Sequence, residues 1–158
     1  MLALLQRVSC AAVTVNRQVV GQIGQGLLVL VSVHADDSVP DIAWTAQKLL
    51  TLRIFPHGEK AYDLDIVAAQ GALLVVSNFT LAAETARGRR PSLSPAAPPD
   101  EARPLFELLL RRLRESPVPV ASGQFAADMQ IALTNEGPTT FLLDSRPHRP
   151  PTTAAKTG

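Results

Sequence analysis

The stretch of this chain with the most unusual chemistry is Asn135–Thr140, Asn-Glu-Gly-Pro-Thr-Thr, which separates two apolar runs. Gly137 has no Cβ, so its backbone can approach a ligand closely, and Pro138 has a fixed φ and no amide hydrogen. A bond that precedes proline is also the kind of peptide bond that readily becomes cis, which would point both flanking carbonyls the same way. The alternative is an ordinary hairpin turn, because glycine and proline are common in turns for purely local reasons.

A second polar stretch, Ser77–Leu81, directly follows an apolar run and contains Thr80, a candidate nucleophile on chemical grounds. A hydroxyl nucleophile needs a base beside it, and the three histidines are poorly placed. His34 ends a strand-like run, His57 lies in a turn and His148 lies near the C-terminus. The sequence also lacks the nucleophile elbow, the zinc-protease helix motif, the phosphate loop and the dinucleotide fingerprint. An enzyme built on this chain would therefore draw much of its catalysis from backbone groups or from its substrate.

Composition restricts the other classes of function. The chain has 158 residues, 46% of them hydrophobic, which suits one domain with one core. Cys10 is the only cysteine, so neither an internal disulfide nor a cysteine-based metal site can form, and we expect no metal and no cofactor. With a net charge of +1, an RNA site would have to come from a local basic cluster. Because the sequence shows neither a signal-peptide pattern nor an apolar run of about 20 residues, we expect a cytoplasmic protein without a membrane span.

The sequence predicts many strands and two helices as the elements that position the two polar stretches. Apolar and alternating runs predict strands over 2–8, 12–15, 19–23, 27–33, 53–55, 62–66, 72–76, 118–120, 127–134 and 140–143. The last is a return strand after the Gly-Pro turn. Helices are predicted after a capping signal at Ser38 and from about Asp100 to Glu115. Since strands and helices do not alternate regularly, we predict an α+β fold. It is a single domain, residues 1–144, in which mixed, mainly antiparallel β-sheets form a barrel-like core beside two main helices.

Two further segments lack a regular pattern. The connection over residues 86–99 is long for a small domain and carries several prolines with Arg87, Arg89 and Arg90. Connections of this length are usually functional or disordered. Residues 145–158 are polar and without periodicity, which predicts a disordered C-terminal tail. Three arginines within residues 111–114 face away from the apolar stripe of the second predicted helix, as on an ordinary solvated helix face.

The two polar stretches together resemble the signature motifs of the D-aminoacyl-tRNA deacylases, formerly called D-tyrosyl-tRNA deacylases. One motif is similar to Ser77-Asn78-Phe79-Thr80-Leu81 and the other to Asn135-x-Gly137-Pro138-x-Thr140. Supporting matches are Arg87-Gly88-x-Arg90-Pro91-Ser92 and Gly123-x-Phe125-x-Ala127-x-Met129, within a similarity that runs from Leu5 to about Leu143. The family pattern has glutamine where this chain has Asn78, which keeps the amide but shortens its reach by one methylene.

The resemblance implies an esterase that releases the amino acid from D-aminoacyl-tRNA, and glycine from mischarged tRNA, without a cofactor. The family is a homodimer with active sites at the subunit interface, where a cis Gly-Pro pair of one subunit enters the pocket of the other. Carried over to this chain, the carbonyls of Gly137 and Pro138 would face the α-carbon of the aminoacyl group and exclude L side chains. Arg7, Asn135 and Thr140 would support this chirality filter.

The same resemblance assigns the segment 77–81 to binding the 3′-terminal adenosine and the ester. Phe125 and Met129 would belong to the adenosine pocket, although Met129 fits a core stripe equally well. The backbone amides of Phe79 and Thr80 would stabilise the oxyanion. The 2′-hydroxyl of the tRNA would supply most of the activation in place of the Thr80 side chain.

Two other functions are compatible with the residues. One is a non-catalytic tRNA-binding module on the same fold, in which Asn78 marks lost activity. The other is a general small-molecule esterase or amidase, and the absence of a catalytic triad counts against it. The partners expected for the enzyme are the 3′ end of aminoacylated tRNA and a second copy of the chain, with no DNA and no membrane.

Overall fold

In the computed structural model, which describes residues 1–149, the N-terminal strand β1 (Leu2–Val15) is the centre of the sheet. One edge of β1 pairs antiparallel with β2 (Gln18–Ile23) and β3 (Gly26–Ser32), each along a different half of the strand. The other edge pairs antiparallel with the long strand β8 (Gln130–Asp144). A single 14-residue strand therefore holds three others.

The remaining strands extend the sheet or form a separate hairpin. β6 (Ala72–Ser77) pairs parallel with β3, and β7 (Val120–Ser122) pairs parallel with β6. β4 (Phe55–His57) and β5 (Lys60–Leu64) pair antiparallel with each other. The result is a mixed set of sheets in which antiparallel pairs are the majority, as predicted.

The large sheet curves until its outer strands approach each other. A Cβ added to Gly21 in β2 would lie 2.7 Å from the carbonyl oxygen of Ser122 in β7, so only glycine allows this approach. The sheet is thus nearly closed and barrel-shaped. This confirms the predicted α+β fold.

Two of the strands are buried on both faces, as their unbroken apolar runs indicate. Leu27 and Leu73 belong to the larger of two hydrophobic clusters, whereas their neighbours Leu28 and Leu74 belong to the smaller one. Successive side chains of a strand point to opposite faces, so β3 and β6 each supply both clusters.

The two predicted helices, α1 (Val39–Thr51) and α2 (Pro99–Arg114), pack their apolar stripes into the larger cluster. At the start of α1, the backbone N–H of Ser38 donates to Asp41 Oδ2 over 2.9 Å, which completes the predicted capping signal. Buried Phe106 lies on the stripe of α2. The part of the chain that the structure describes contains no helix long and apolar enough to cross a membrane.

The predicted hairpin about Gly137 and Pro138 is wrong, because β8 does not reverse its direction there. Gln6 of β1 pairs with Thr140 and Val8 pairs with Asn135, so one residue of β1 faces the four residues Glu136–Thr139. We call Glu136–Thr139 the bulge. Both halves of β8 pair with the same long strand, and the pattern of one segment alone cannot reveal that shared partner.

The predicted tail also needs correction at its start. Ser145 is buried, and its hydroxyl donates to Asp41 Oδ1 over 2.6 Å. A short 3₁₀ helix, Arg146–His148, follows, and the Arg149 guanidinium donates to the carboxylates of Asp36, Asp37 and Asp41. These contacts place residues 145–149 on α1, so the boundary predicted after residue 144 is too early. The rest of the predicted tail, residues 150–158, lies outside the described residues.

Candidate functional site

A cavity of about 420 Å³ opens beside the C-terminal ends of two parallel strands. Val31 of β3 and Ser77 of β6 form its floor, and Phe106 of α2 forms one wall. The connection that follows residue 92 closes another side. Every residue that the structure places in the wall is uncharged and most are apolar, which suits a flat, largely apolar ligand.

The polar stretch Ser77–Leu81 lies where β6 ends. The backbone N–H of Asn78 donates to Val31 O over 2.7 Å, which extends the parallel pairing by one residue. The chain then turns into a short 3₁₀ helix, Phe79–Ala82. The amide groups of Phe79 and Thr80 begin this helix and have no acceptor among residues 1–149.

The hydroxyl group of Thr80 is engaged rather than activated. Its Oγ1 donates to Asn78 Oδ1 over 2.6 Å, and an amide oxygen is not a general base. The cavity wall that the structure describes contains no aspartate, glutamate, histidine, lysine or cysteine. The arrangement therefore supplies hydrogen-bond donors but no side-chain base.

Five of the predicted binding residues come together at the cavity and two do not. Ser77, Asn78, Phe79, Phe125 and Met129 line it. The 59% exposed ring of Phe79 lies at the mouth, where it offers a free apolar face.

The other two predicted residues, Thr80 and Leu81, lie outside the cavity wall. Thr80 is exposed and Leu81 is half-buried. Any contribution of Thr80 to the cavity would come from its backbone amide.

The far wall of the cavity combines a loop with helix α2. The ring of Phe125 lies 5.8 Å from that of Phe106, and the Arg103 guanidinium lies 4.6 Å above the Phe125 centroid. A Cβ on Gly123 would lie 2.7 Å from Met129 Sδ, so glycine leaves the space that this methionine fills. Sequence reasoning missed the contribution of α2, because Phe106 belongs to an apolar stripe that also serves the core.

The bulge has its own internal support. The peptide bond between Gly137 and Pro138 is cis, as the resemblance implies. The backbone N–H of Thr139 donates to Asn135 Oδ1 over 2.8 Å, and Asn135 Nδ2 donates to Thr139 O (3.3 Å) and Thr140 Oγ1 (3.2 Å). Asn135 and Thr140 thus hold the bulge at its base.

The tip of the bulge points away from the protein. Gly137 and Pro138 are exposed, and neither lines the cavity of its own chain. The cavity and the bulge are therefore separate features within one chain.

Arg7 lies in β1 directly opposite the bulge but is bonded elsewhere. Its buried guanidinium donates to Ile54 O over 2.7 Å and to Ala61 O over 3.4 Å, and lies 6.0 Å from the Tyr62 ring centroid. Within residues 1–149, Arg7 donates no hydrogen bond to the bulge that it was expected to support. Arg7 instead ties β1 to the β4–β5 hairpin beside the bulge, where half-exposed Tyr62 packs edge-on against Phe141. Sequence reasoning missed Tyr62, which looked like one residue of an alternating strand.

The remaining titratable groups of residues 1–149 offer no acid–base pair for the cavity. Burial, followed by the nearby Arg146 guanidinium, lowers the pKa of the His34 imidazole, and His34 is not in the wall. His57 pairs with Asp63 at an exposed position. No group of three or more histidine, cysteine, aspartate or glutamate side chains suited to a metal occurs among residues 1–149.

The chain is similar to proteins of one family over almost its whole length. A family model described as D-Tyr-tRNA(Tyr) deacylase matches residues 4–144. The protein called D-aminoacyl-tRNA deacylase from Methylococcus capsulatus is 47% identical over 151 residues, which is 96% of this chain and 99% of the relative. A relative of the same name from Haemophilus influenzae strain PittGG is 49% identical. The match covers 91% of this chain and 99% of that relative.

Two solved structures have the same fold. One, described as c-Myc DNA Unwinding Element Binding Protein, superposes with a TM-score of 0.86 at 32% identity and covers 92% of this chain and 99% of its own. The other, described as a probable eukaryotic D-amino acid tRNA deacylase, has a TM-score of 0.74 at 21% identity. The superposition covers 90% of this chain and 97% of that structure's chain. At that identity the second structure supports the fold alone.

Proposed function

This chain belongs to the D-Tyr-tRNA(Tyr) deacylase family, a family of hydrolases, and we propose that it hydrolyses the ester bond of D-aminoacyl-tRNA. The observation that carries the proposal is the cavity, whose described walls are largely apolar and contain no titratable side chain. Beside it, the backbone N–H groups of Phe79 and Thr80 have no acceptor among residues 1–149. Such a site suits a substrate that brings its own catalytic group, and the terminal ribose of tRNA does so with its 2′-hydroxyl. The substrate would be met in the cytoplasm.

The terminal adenosine fits the apolar part of the cavity. Phe79 at the mouth and Phe125 with Met129 in the wall provide surfaces on which a base can stack. Binding the adenosine here would direct the ribose and its ester towards Ser77 and Asn78, where β6 ends. The ester carbonyl then lies beside the start of the 3₁₀ helix.

The chemical step is the attack of water on the ester carbonyl. The C–O bond to the 3′ oxygen breaks, the water oxygen joins the carbonyl carbon, and a water proton passes to the leaving 3′ oxygen. The backbone amides of Phe79 and Thr80 donate to the oxyanion as it develops. The 2′-hydroxyl of the substrate orients and activates the water, so neither a cofactor nor a side-chain nucleophile takes part.

Selection of the D form is assigned to the bulge of a second copy of the chain. The exposed tip at Gly137 and Pro138 is separate from the cavity of its own chain, which supports a role in another chain's cavity within a homodimer. Its two carbonyls would face the α-carbon of the aminoacyl group and exclude an L side chain. Glycine has no side chain to exclude, so glycine mischarged on tRNA is also a substrate.

The direct test is single-turnover deacylation of matched D-, L- and glycyl-tRNA by the purified protein. We expect hydrolysis of the D and glycyl esters and survival of the L ester. Binding of the tRNA without hydrolysis of any ester would instead favour the non-catalytic tRNA-binding module. Equal hydrolysis of the D and L forms would refute the chirality filter.

A further inference from the structure

We propose that a hairpin loop beside the cavity, residues 84–92, binds the phosphates of the nucleotides that precede the 3′-terminal nucleotide of the substrate. We call residues 84–92 the arginine loop. The inference rests on the proposed function, since it takes the occupant of the cavity to be the end of an RNA strand. Two backbone hydrogen bonds close the loop, each 2.9 Å long, from Glu84 N–H to Ser92 O and from Ser92 N–H to Glu84 O.

The arginine loop presents three guanidinium groups to solvent. Arg87, Arg89 and Arg90 are exposed, and none forms a salt bridge within residues 1–149. At the tip, Gly88 has a φ of +70°, and an added Cβ would meet no atom within 4 Å. Because the guanidinium fork matches phosphate oxygens geometrically, these arginines are available to bind an anionic chain.

The loop is attached to the mouth of the cavity at both of its ends. Phe79, which lines the cavity, begins the 3₁₀ helix before the loop, and Leu93, which also lines it, directly follows the loop. The returning chain is fixed to the sheet, because the backbone N–H of Ala97 donates to Val33 O over 2.9 Å. The arginines are therefore held beside the opening through which an RNA strand leaves.

The cavity itself excludes the phosphates. Its volume of about 420 Å³ suits a nucleoside with an aminoacyl group, and its uncharged walls would leave a buried phosphate without a charged partner. Near the mouth, α2 begins with the exposed carboxylates of Asp100 and Glu101, which repel phosphate, and the Arg103 guanidinium that follows lies over the Phe125 ring. The three exposed guanidinium groups give the arginine loop a local positive charge that matches the RNA backbone.

The test compares two substrates that share an ester but differ in phosphate content. One is full-length D-aminoacyl-tRNA, and the other is the 2′(3′)-O-D-aminoacyl ester of adenosine, which has no phosphate. The variant is the triple change Arg87→Gln, Arg89→Gln and Arg90→Gln. A matched control is Arg111→Gln, Arg112→Gln and Arg114→Gln, which removes the same charge from the outer face of α2.

For the loop variant we expect KM for the tRNA to rise roughly tenfold or more at low salt, with kcat within about twofold of wild type. The slope of log KM against log salt should fall by about 2, since each contact to a single-stranded phosphate contributes roughly 0.7. Hydrolysis of the adenosine ester should keep its kcat/KM, and the helix control should match wild type on both substrates.

Three outcomes would overturn the inference. In one, the loop and helix variants raise KM equally, which would indicate a general charge effect. In another, the loop variant loses activity on the adenosine ester as much as on the tRNA, which would mean that the loop shapes the cavity. In the third, KM and the salt slope for the tRNA do not change. A wild-type protein that cleaves neither substrate would instead refute the proposed function, so the two failures are distinguishable.

Discussion

Asn135 holds Thr139 across the bulge, with Thr139 N–H donating to Asn135 Oδ1 over 2.8 Å and Asn135 Nδ2 donating back to Thr139 O over 3.3 Å. This reciprocal pair fixes the two carbonyls of Gly137 and Pro138 without any bond to the bulge tip itself. Because the tip is exposed, its geometry depends on the base of the bulge. The side chain of Asn135 therefore sets the geometry of the tip from the base of the bulge.

The first prediction follows from that pair. Asn135→Ala removes three hydrogen bonds worth about 1 kcal/mol each, and we expect roughly a tenfold to hundredfold loss of D-aminoacyl-tRNA deacylation. Discrimination against the L ester should fall with it. Asn135→Asp keeps the acceptor for Thr139 N–H and should lie between wild type and the alanine variant. If the alanine variant shows full D activity with full rejection of the L ester, Asn135 does not position the filter.

The second prediction concerns Gly137, whose φ is +135°. An alanine Cβ there would collide with Thr139 Oγ1 and lie 2.7 Å from the Thr139 amide nitrogen, so Gly137→Ala should displace the bulge. We expect deacylation to fall at least tenfold, with a thermal unfolding midpoint within a few degrees of wild type, since the tip of the bulge is exposed. The control is Gly24→Ala, whose added Cβ meets nothing within 4 Å. Equal activity of the two alanine variants would contradict the prediction.

The third prediction separates backbone from side-chain catalysis at Thr80. Its hydroxyl donates to Asn78 Oδ1, and the described cavity wall contains no side-chain base, so Thr80→Ala should keep kcat within about tenfold of wild type. Thr80→Pro removes the backbone N–H as well and should lose far more. Single-turnover rates of the two variants, with circular dichroism to show that both fold, make the comparison. An alanine variant as inactive as the proline variant would establish the hydroxyl as the catalytic group.

The fourth prediction tests whether each site combines two chains. Phe79→Asp impairs the cavity and Gly137→Ala impairs the bulge, so each homodimer alone should have little activity. After subunit exchange in an equal mixture, about a quarter of the wild-type activity should return, because half of the dimers are mixed and each holds one intact site. Sedimentation should show dimers throughout. If the mixture is no more active than its components, the cavity and the bulge do not work across an interface.

The fifth prediction is a pH dependence of stability that arises from Asp41. Burial raises the pKa of this carboxyl, but hydrogen bonds from Ser145, Arg149 and Ser38 outweigh it, and the pKa in the folded state lies well below the usual range. A lowered folded pKa contributes stability above the unfolded value of about 3.9, and this contribution is lost as the pH falls through that value towards the folded pKa.

Asp41→Asn should therefore lower the free energy of unfolding at pH 7 by roughly 1–3 kcal/mol and make stability between about pH 5 and pH 2 less dependent on pH. Urea titrations across that range measure both effects. Asp128→Asn is the control, because Asp128 is exposed. A control that changes stability as much as Asp41→Asn would assign the effect to net charge rather than to this site.

Local sequence patterns predicted the burial of β6 correctly but did not predict the bulge. The apolar run before Ser77 predicts a strand buried on both faces, and Leu73 and Leu74 do belong to different core clusters. The information needed is local, since side chains of any strand alternate between its faces. Around Gly137 the same local logic predicted a hairpin, and there it failed.

Local sequence determined most of the strands, the helix start at Ser38, the uncharged chemistry of Ser77–Leu81 and, through the resemblance, the two motifs of the site. Tertiary structure alone decided that β8 runs on past Pro138, because β1 is long enough to pair with both halves of it. The tertiary structure also determines that Arg7 donates to Ile54 O and not to the bulge. It likewise places Phe106 of α2 in the cavity wall. The first two contacts join residues more than 40 positions apart, and the pattern of one segment does not identify a distant partner. Phe106 lies on an apolar stripe that could equally serve only the core, so its sequence context does not indicate a role in the cavity.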